Sequence, residues 1–198
     1  MSGDGRKTAE SGARVPGNII LVGMMGAGKT SVGKLLARRL GKAFYDCDQE
    51  IERATGVKVA VIFEIEGEGG FRAREAKTLA ELVRHSNFVL ATGGGAVLSA
   101  DNRRLLQEAG VVVYLRASPA DLYGRTRHDR NRPLLQTADP LARLKDLFDE
   151  RDPLYREAAH IVVETGEQSL GILTHKLEVQ LLRHQTEARG ASAPLGTG

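Results

Sequence analysis

Gly23-Met24-Met25-Gly26-Ala27-Gly28-Lys29-Thr30 decides how this chain is read. It follows the apolar run Ile19-Ile20-Leu21-Val22 and opens a helical pattern, Ser31-Val32-Gly33-Lys34-Leu35-Leu36-Ala37. Strand, glycine-rich turn and helix in that order make a phosphate cradle. Glycines let backbone N–H groups converge without steric conflict, and the helix N-terminus adds partial positive charge. Gly26, Ala27, Gly28 and Ser31 are expected to line the cradle. Lys29 is placed to reach the outer phosphates, and the Thr30 hydroxyl to ligate Mg²⁺. The sequence predicts a nucleotide-binding protein.

The remaining composition narrows the partners. At 198 residues, 41% hydrophobic and 27% charged, the chain suits one domain with a substantial core, and it has no run apolar enough to span a membrane. No signal-peptide pattern opens it, and its single cysteine, Cys47, excludes an internal disulfide, so the cytoplasm is the expected compartment. A net charge of +3 is a small excess, and 5% aromatic content without tryptophan gives little on which to stack bases. The arginines gather locally instead, at Arg125, Arg127, Arg130 and Arg132, which suits a small anion better than a long polyanion.

Along the chain, apolar runs alternate with helical patterns. Strands are expected at Ile19–Val22, Ala43–Asp46, Phe88–Thr92, Val111–Leu115 and His160–Val163. Helices are expected at Thr30–Leu40, Phe71–Arg84, Asp101–Gln107, Pro119–Arg127, Pro140–Asp149 and Ser169–Leu182. Such alternation implies an α/β fold with a parallel sheet and right-handed crossovers, its site at the carboxyl ends of the strands. Residues 1–16 read as a flexible leader, 17–183 as one domain, and 184–198 as a flexible tail without an apolar period.

Three further segments carry chemistry. In Ala43-Phe44-Tyr45-Asp46-Cys47-Asp48, strand alternation would put both carboxylates on one side and Cys47 on the other, in the core. One acid would then serve a cation and the other a polar substrate, and Asp48 is also a candidate cap for a helix starting near Gln49. Gly93-Gly94-Gly95 after a buried strand suggests a backbone that approaches a ligand closely. Arg72 and Glu75 share a helix face, so Glu75 can fix the Arg72 guanidinium as a planar fork for a carboxylate. The basic, proline-bounded stretch from about 124 to 136 reads as a mobile lid that closes over ATP. The five histidines show no zinc-ligand spacing.

From about Asn18 to Leu182 the chain resembles the shikimate kinases. The resemblance rests on Gly23–Thr30, Asp46-Cys47-Asp48, Phe71-Arg72-Ala73-Arg74-Glu75, Gly93-Gly94-Gly95, Arg132-Pro133-Leu134-Leu135 and Arg151-Asp152-Pro153-Leu154-Tyr155, in family order. It implies a three-layer P-loop kinase fold with five parallel strands ordered 2-3-1-4-5, and transfer of the ATP γ-phosphoryl group to the 3-hydroxyl of shikimate. It implies that Asp48 binds the reacting hydroxyl and acts as its base, and that Asp46 serves Mg²⁺, directly or through water. By the same resemblance Arg72 and Arg151 hold the substrate carboxylate, and the Gly93, Gly94 and Gly95 backbone lies beside the substrate. Arg132 would be the lid arginine, Arg125 would pack on adenine, and Gln168 marks a second, more variable adenine-side segment. A monomer is the family expectation. Two other readings stay open on the residues alone: a gluconate-kinase-like enzyme of the same fold, and a nucleotide switch without turnover. A nucleic-acid binder is more distant.

Overall fold

Every residue of Ile19–Val22 (β1) is buried, as a strand covered on both faces must be. It lies at the centre of a sheet completed by Ala43–Asp46 (β2), Phe88–Ala91 (β3), Val111–Arg116 (β4) and Ile161–Glu164 (β5). All pairings are parallel, and the order is β2-β3-β1-β4-β5, as the family resemblance implies. The computed structural model describes residues 15–129 and 133–191. Ile19 is in register with Val89 on one side and Val111 on the other, so three apolar strands share one core.

Helices Lys29–Leu40 (α1), Cys47–Thr55 (α2), Val59–Leu82 (α3), Ala100–Ala109 (α4), Pro119–Thr126 (α5), Pro140–Ala158 (α6) and Leu170–Ala191 (α7) flank the sheet. Short 3₁₀ turns lie at Ala96–Leu98 and Pro133–Leu135. Gly41 ends α1 in the left-handed region (φ 64°), as its position before β2 predicts. Among the described residues no helix is long and apolar enough to cross a membrane.

The differences from expectation are local and have physical causes. Helix α3 begins at Val59 rather than Phe71, because Val59-Ala60-Val61-Ile62-Phe63 forms a helical segment before a break at Gly67 (φ 69°, ψ −177°). Helix α6 continues past Asp149 and through Pro153, since Leu147, Arg151, Tyr155 and Ala158 all turn inward on its buried face. That burial outweighs the backbone hydrogen bond that proline removes. Helix α7 runs to Ala191, beyond the tail boundary expected at 184. Leu177 and Leu181 anchor it, and Glu187, Ala188 and Arg189 are good helix formers that propagate an existing helix without an apolar stripe. Val15, assigned to the leader, is 3% exposed and belongs to the core, and the Pro16 carbonyl accepts from Gln185 Nε2 at 3.1 Å. Strand β3 stops at Ala91, and Thr92 instead donates its N–H and hydroxyl to the Leu21 carbonyl, both at 3.1 Å.

Candidate active site

The carboxyl ends of β1, β2 and β3 carry the loop, an acid pair and three glycines into one place. Gly23, Gly26 and Gly28 all have positive φ (143°, 80° and 95°), a backbone that folds over the start of α1. Lys29 Nζ lies against that loop, donating to the Gly23 and Met24 carbonyls at 2.7 and 3.0 Å. Thr30 Oγ1 donates to Asp46 Oδ2 at 2.6 Å. A cleft of about 320 Å³ is walled by Gly26, Gly28, Lys29, Thr30, Ser31, Asp46 and Arg125, among others. Ala27 departs from expectation. Its side chain is buried in the core and its N–H donates to the Met24 carbonyl at 3.2 Å.

Asp46 and Asp48 both reach this region, but not by strand alternation. Asp46 ends β2, and Cys47 and Asp48 are already in the first turn of α2. Asp46, not Asp48, caps that helix: its Oδ1 accepts from Gln49 N at 3.3 Å. Asp48 is thereby released from a capping role and faces the cleft. Cys47 is fully buried, and burial, with Glu75, Asp48 and Asp46 nearby, pushes its thiol well above the ordinary range. It is a packing residue.

Arg125 stands at the edge of this first cleft. Its guanidinium spans from the Gly26 carbonyl (3.4 Å) to Thr165 Oγ1 (3.1 Å) and the Gly166 carbonyl. Gln168 lies on the same β5–α7 connection, where its Nε2 donates to the Glu164 carbonyl at 3.3 Å, and it does not form part of the cleft wall. Of the stretch read as a lid, Gly124, Arg125 and Thr126 belong to the ordered end of α5. Arg130 and Arg132 lie outside the described residues.

A second cleft adjoins the first. Its polar wall holds Asp48, Arg72, Gly93, Gly94, Gly95 and Arg151, as read from the sequence. Arg72 Nη1 donates to Glu75 Oε2 at 2.8 Å, and the guanidinium packs over the Phe71 ring at 5.2 Å. Glu75 is completely buried. Burial pushes its carboxyl up, and the adjacent Arg72 pulls it back only in part. Arg151 is 3% exposed, and its Nε and Nη1 meet no protein acceptor among the described residues. A buried guanidinium with open donors is a site prepared for an anion.

Two of the three glycines, Gly93 and Gly95, are explained by contact. A Cβ on Gly93 would lie 2.2 Å from Glu75 Oε1 and 3.1 Å from Asp48 Oδ1. On Gly95 it would lie 2.1 Å from Arg72 Nη2. Gly95→Ala must therefore push the end of a flexible arginine aside while leaving the backbone in place. It should raise the KM for a carboxylate acceptor roughly tenfold, with the KM for ATP and the melting temperature little changed. Steady-state kinetics with each substrate varied checks this.

Sequence reasoning missed the cleft's apolar floor, Met25, Val59, Phe63 and Phe71, with the two phenylalanine rings 4.6 Å apart. It also gave Leu134 no task, although that residue lines the same cleft. Behind the wall, the Tyr155 hydroxyl donates to the Gly94 carbonyl, and the Tyr155 ring stacks on Tyr114 at 4.8 Å. The Tyr114 hydroxyl, Arg116 Nε and Arg156 Nε converge on Asp152 at 2.8, 2.8 and 2.7 Å. Burial pushes the Asp152 carboxyl up, but hydrogen bonds from Arg156, Arg116 and Tyr114 outweigh it and hold it below the usual carboxylate range. Arg151-Asp152 thus divides its work: one residue faces the cleft and the next fastens α6 to the sheet.

Comparison with known proteins bears on this pair of clefts. The family model for shikimate kinase matches residues 25–180. The chain belongs to the shikimate kinase family. A shikimate kinase of Nitrosospira multiformis is 62% identical over 173 residues, covering 87% of this chain and 89% of that protein. One of Burkholderia thailandensis is 60% identical over 164 residues, 83% of this chain and 89% of its own length. Among solved structures, the shikimate kinase of Acinetobacter baumannii in complex with shikimate superposes with a TM-score of 0.83 at 50% identity, covering 85% of this chain and 93% of that one. A gluconokinase of Sinorhizobium meliloti shares the fold only (TM-score 0.57, 20% identity). Membership in the shikimate kinase family makes this chain an ATP-dependent kinase.

Proposed function

We propose that this chain transfers the γ-phosphoryl group of ATP to the 3-hydroxyl of shikimate, giving 3-phosphoshikimate and ADP. The observation that carries the reading is the shared wall: Met25, Asp48 and Gly94 line both clefts, so Asp48 stands between the phosphate loop and the arginine-walled cleft. A hydroxyl bound at Asp48 faces a phosphate held at Lys29. Arg72 and Arg151 take the acceptor's carboxylate at the other end, so the ligand is gripped at both ends and its hydroxyl is fixed in line for attack. Asp48 accepts the hydroxyl proton as the new O–P bond forms. Lys29 and the loop N–H groups neutralise charge on the phosphoryl oxygens, and Arg132 adds to this by the family pattern. Arg125 and the Gln168 connection flank the adenine.

Mg²⁺ fits the oxygen donors present. The Thr30 hydroxyl and Asp46 carboxylate, 2.6 Å apart, are a hard and sparse set, which suits an ion that keeps several waters and takes its other ligands from phosphates. When bound there, Mg²⁺ screens charge on the ATP phosphates. Asp46→Asn should raise the Mg²⁺ concentration needed for half-maximal rate by about tenfold and leave shikimate binding unchanged. A Mg²⁺ titration at fixed ATP and shikimate checks this, and an unchanged requirement removes Asp46 from the metal site. The reading includes a monomer acting in the cytoplasm, which sedimentation of the purified protein tests for the oligomeric state. Steady-state assay of shikimate against gluconate at fixed ATP tests the acceptor: only shikimate should release ADP.

A further inference from the structure

Two carboxylates already hold the Arg72 guanidinium, and they hold it differently. Glu75 takes Nη1 at 2.8 Å, whereas Glu68 Oε1 accepts from both Nε and Nη2, at 3.3 and 2.9 Å. The Glu75 side chain has no exposure, while that of Glu68 is 48% exposed. Nε and Nη2 form one of the edges on which a carboxylate docks on an arginine with two parallel bonds. We propose that Glu68 is an internal stand-in for the acceptor carboxylate, occupying the Arg72 fork until the acceptor displaces it and retaking the fork as the product leaves. This rests on the assignment of Arg72 to the acceptor carboxylate.

Three observations support an exchange at Glu68 rather than a permanent brace. Glu75 is buried and holds Arg72 Nη1 at 2.8 Å, so one anchor on the guanidinium remains once Glu68 departs. Glu68 directly follows the break at Gly67, and a Cβ on Gly67 or Gly69 would meet nothing within 4 Å, so the segment has room to shift. A cavity of about 600 Å³ beside the fork carries Glu68 and Arg143 on its wall, which gives the displaced carboxylate space and a cation to approach. Arg151 presents open donors, whereas Arg72 is already engaged. The incoming carboxylate therefore meets Arg151 first and then competes with Glu68. One ion pair replaces another, so the site holds its ligand less tightly than two open arginines would, and release stays fast.

The test is the Glu68→Gln variant, isosteric and on an exposed side chain, measured by titration calorimetry with shikimate. Removing the competitor should tighten shikimate binding about two- to fivefold, the weight of a partly exposed ion pair. The shikimate KM should fall likewise with no gain in kcat. In an Arg72→Ala background, which by itself should weaken binding at least about tenfold, the same substitution should change nothing. Tightening that persists without Arg72 would be a general charge effect and would overturn the proposal, as would weaker or unchanged binding in the single variant. If Arg72→Ala leaves shikimate binding intact, the acceptor assignment fails and the stand-in role fails with it. If Arg72→Ala weakens binding and Glu68→Gln does not tighten it, only the stand-in role fails.

Discussion

Asp48→Asn should lower kcat by about 10² to 10⁴ while leaving ATP binding near its original strength. Asparagine keeps the size of the side chain and still accepts a hydrogen bond, so the acceptor hydroxyl is still met at the shared wall of the two clefts. What it cannot do is take the proton. Asp48 does not cap α2, a task that falls to Asp46, so the helix cap survives the substitution. Stopped-flow or steady-state kinetics, with thermal denaturation as a control, separates these effects. A kcat within a few-fold of the original would show that the hydroxyl needs no base at this position.

Lys29→Ala is the second large effect expected, with kcat reduced by about 10² to 10³. The ammonium is held over the loop by two carbonyls, at 2.7 and 3.0 Å, so it is already oriented before any phosphate arrives. Alanine removes a fixed positive charge from a site where the transferred group spreads negative charge over its oxygens. It also frees the Gly23 and Met24 carbonyls, so ATP binding should weaken as well. Binding of ATP measured apart from turnover divides the two contributions. A variant that binds ATP less tightly but turns over normally at saturation would make Lys29 a binding residue only.

Most of this was legible before the structure, for a reason that particular residues make clear. Ile19–Val22 followed by Gly23–Thr30 admits few folds, because an apolar strand, a loop with three glycines at positive φ and a helix start leave one way to present N–H groups. The acids, the arginines and the triple glycine were found from chemistry plus family order, and the structure brings Asp48, Arg72, Gly93, Gly94, Gly95 and Arg151 to one cleft. What was not legible depends on contacts distant in sequence. Asp46 is a helix cap because the chain turns two residues earlier than a strand running to Asp48 assumes. Val59–Phe63 reads as an unassigned apolar run, and only its packing against Phe71 shows it as the floor of the second cleft. Tyr155 is far from Gly94 in sequence yet fixes its carbonyl. The end of α7 escaped notice because it has helical propensity without the apolar stripe by which helices are recognised.

The measurement that bears most directly on the account is coupled detection of ADP in mixtures of the protein with ATP, Mg²⁺ and shikimate, each omitted in turn. ADP release that requires all three, with 3-phosphoshikimate formed in equal amount, is the predicted result. ADP release that ignores shikimate, or ATP binding with no turnover when shikimate is present, would contradict it.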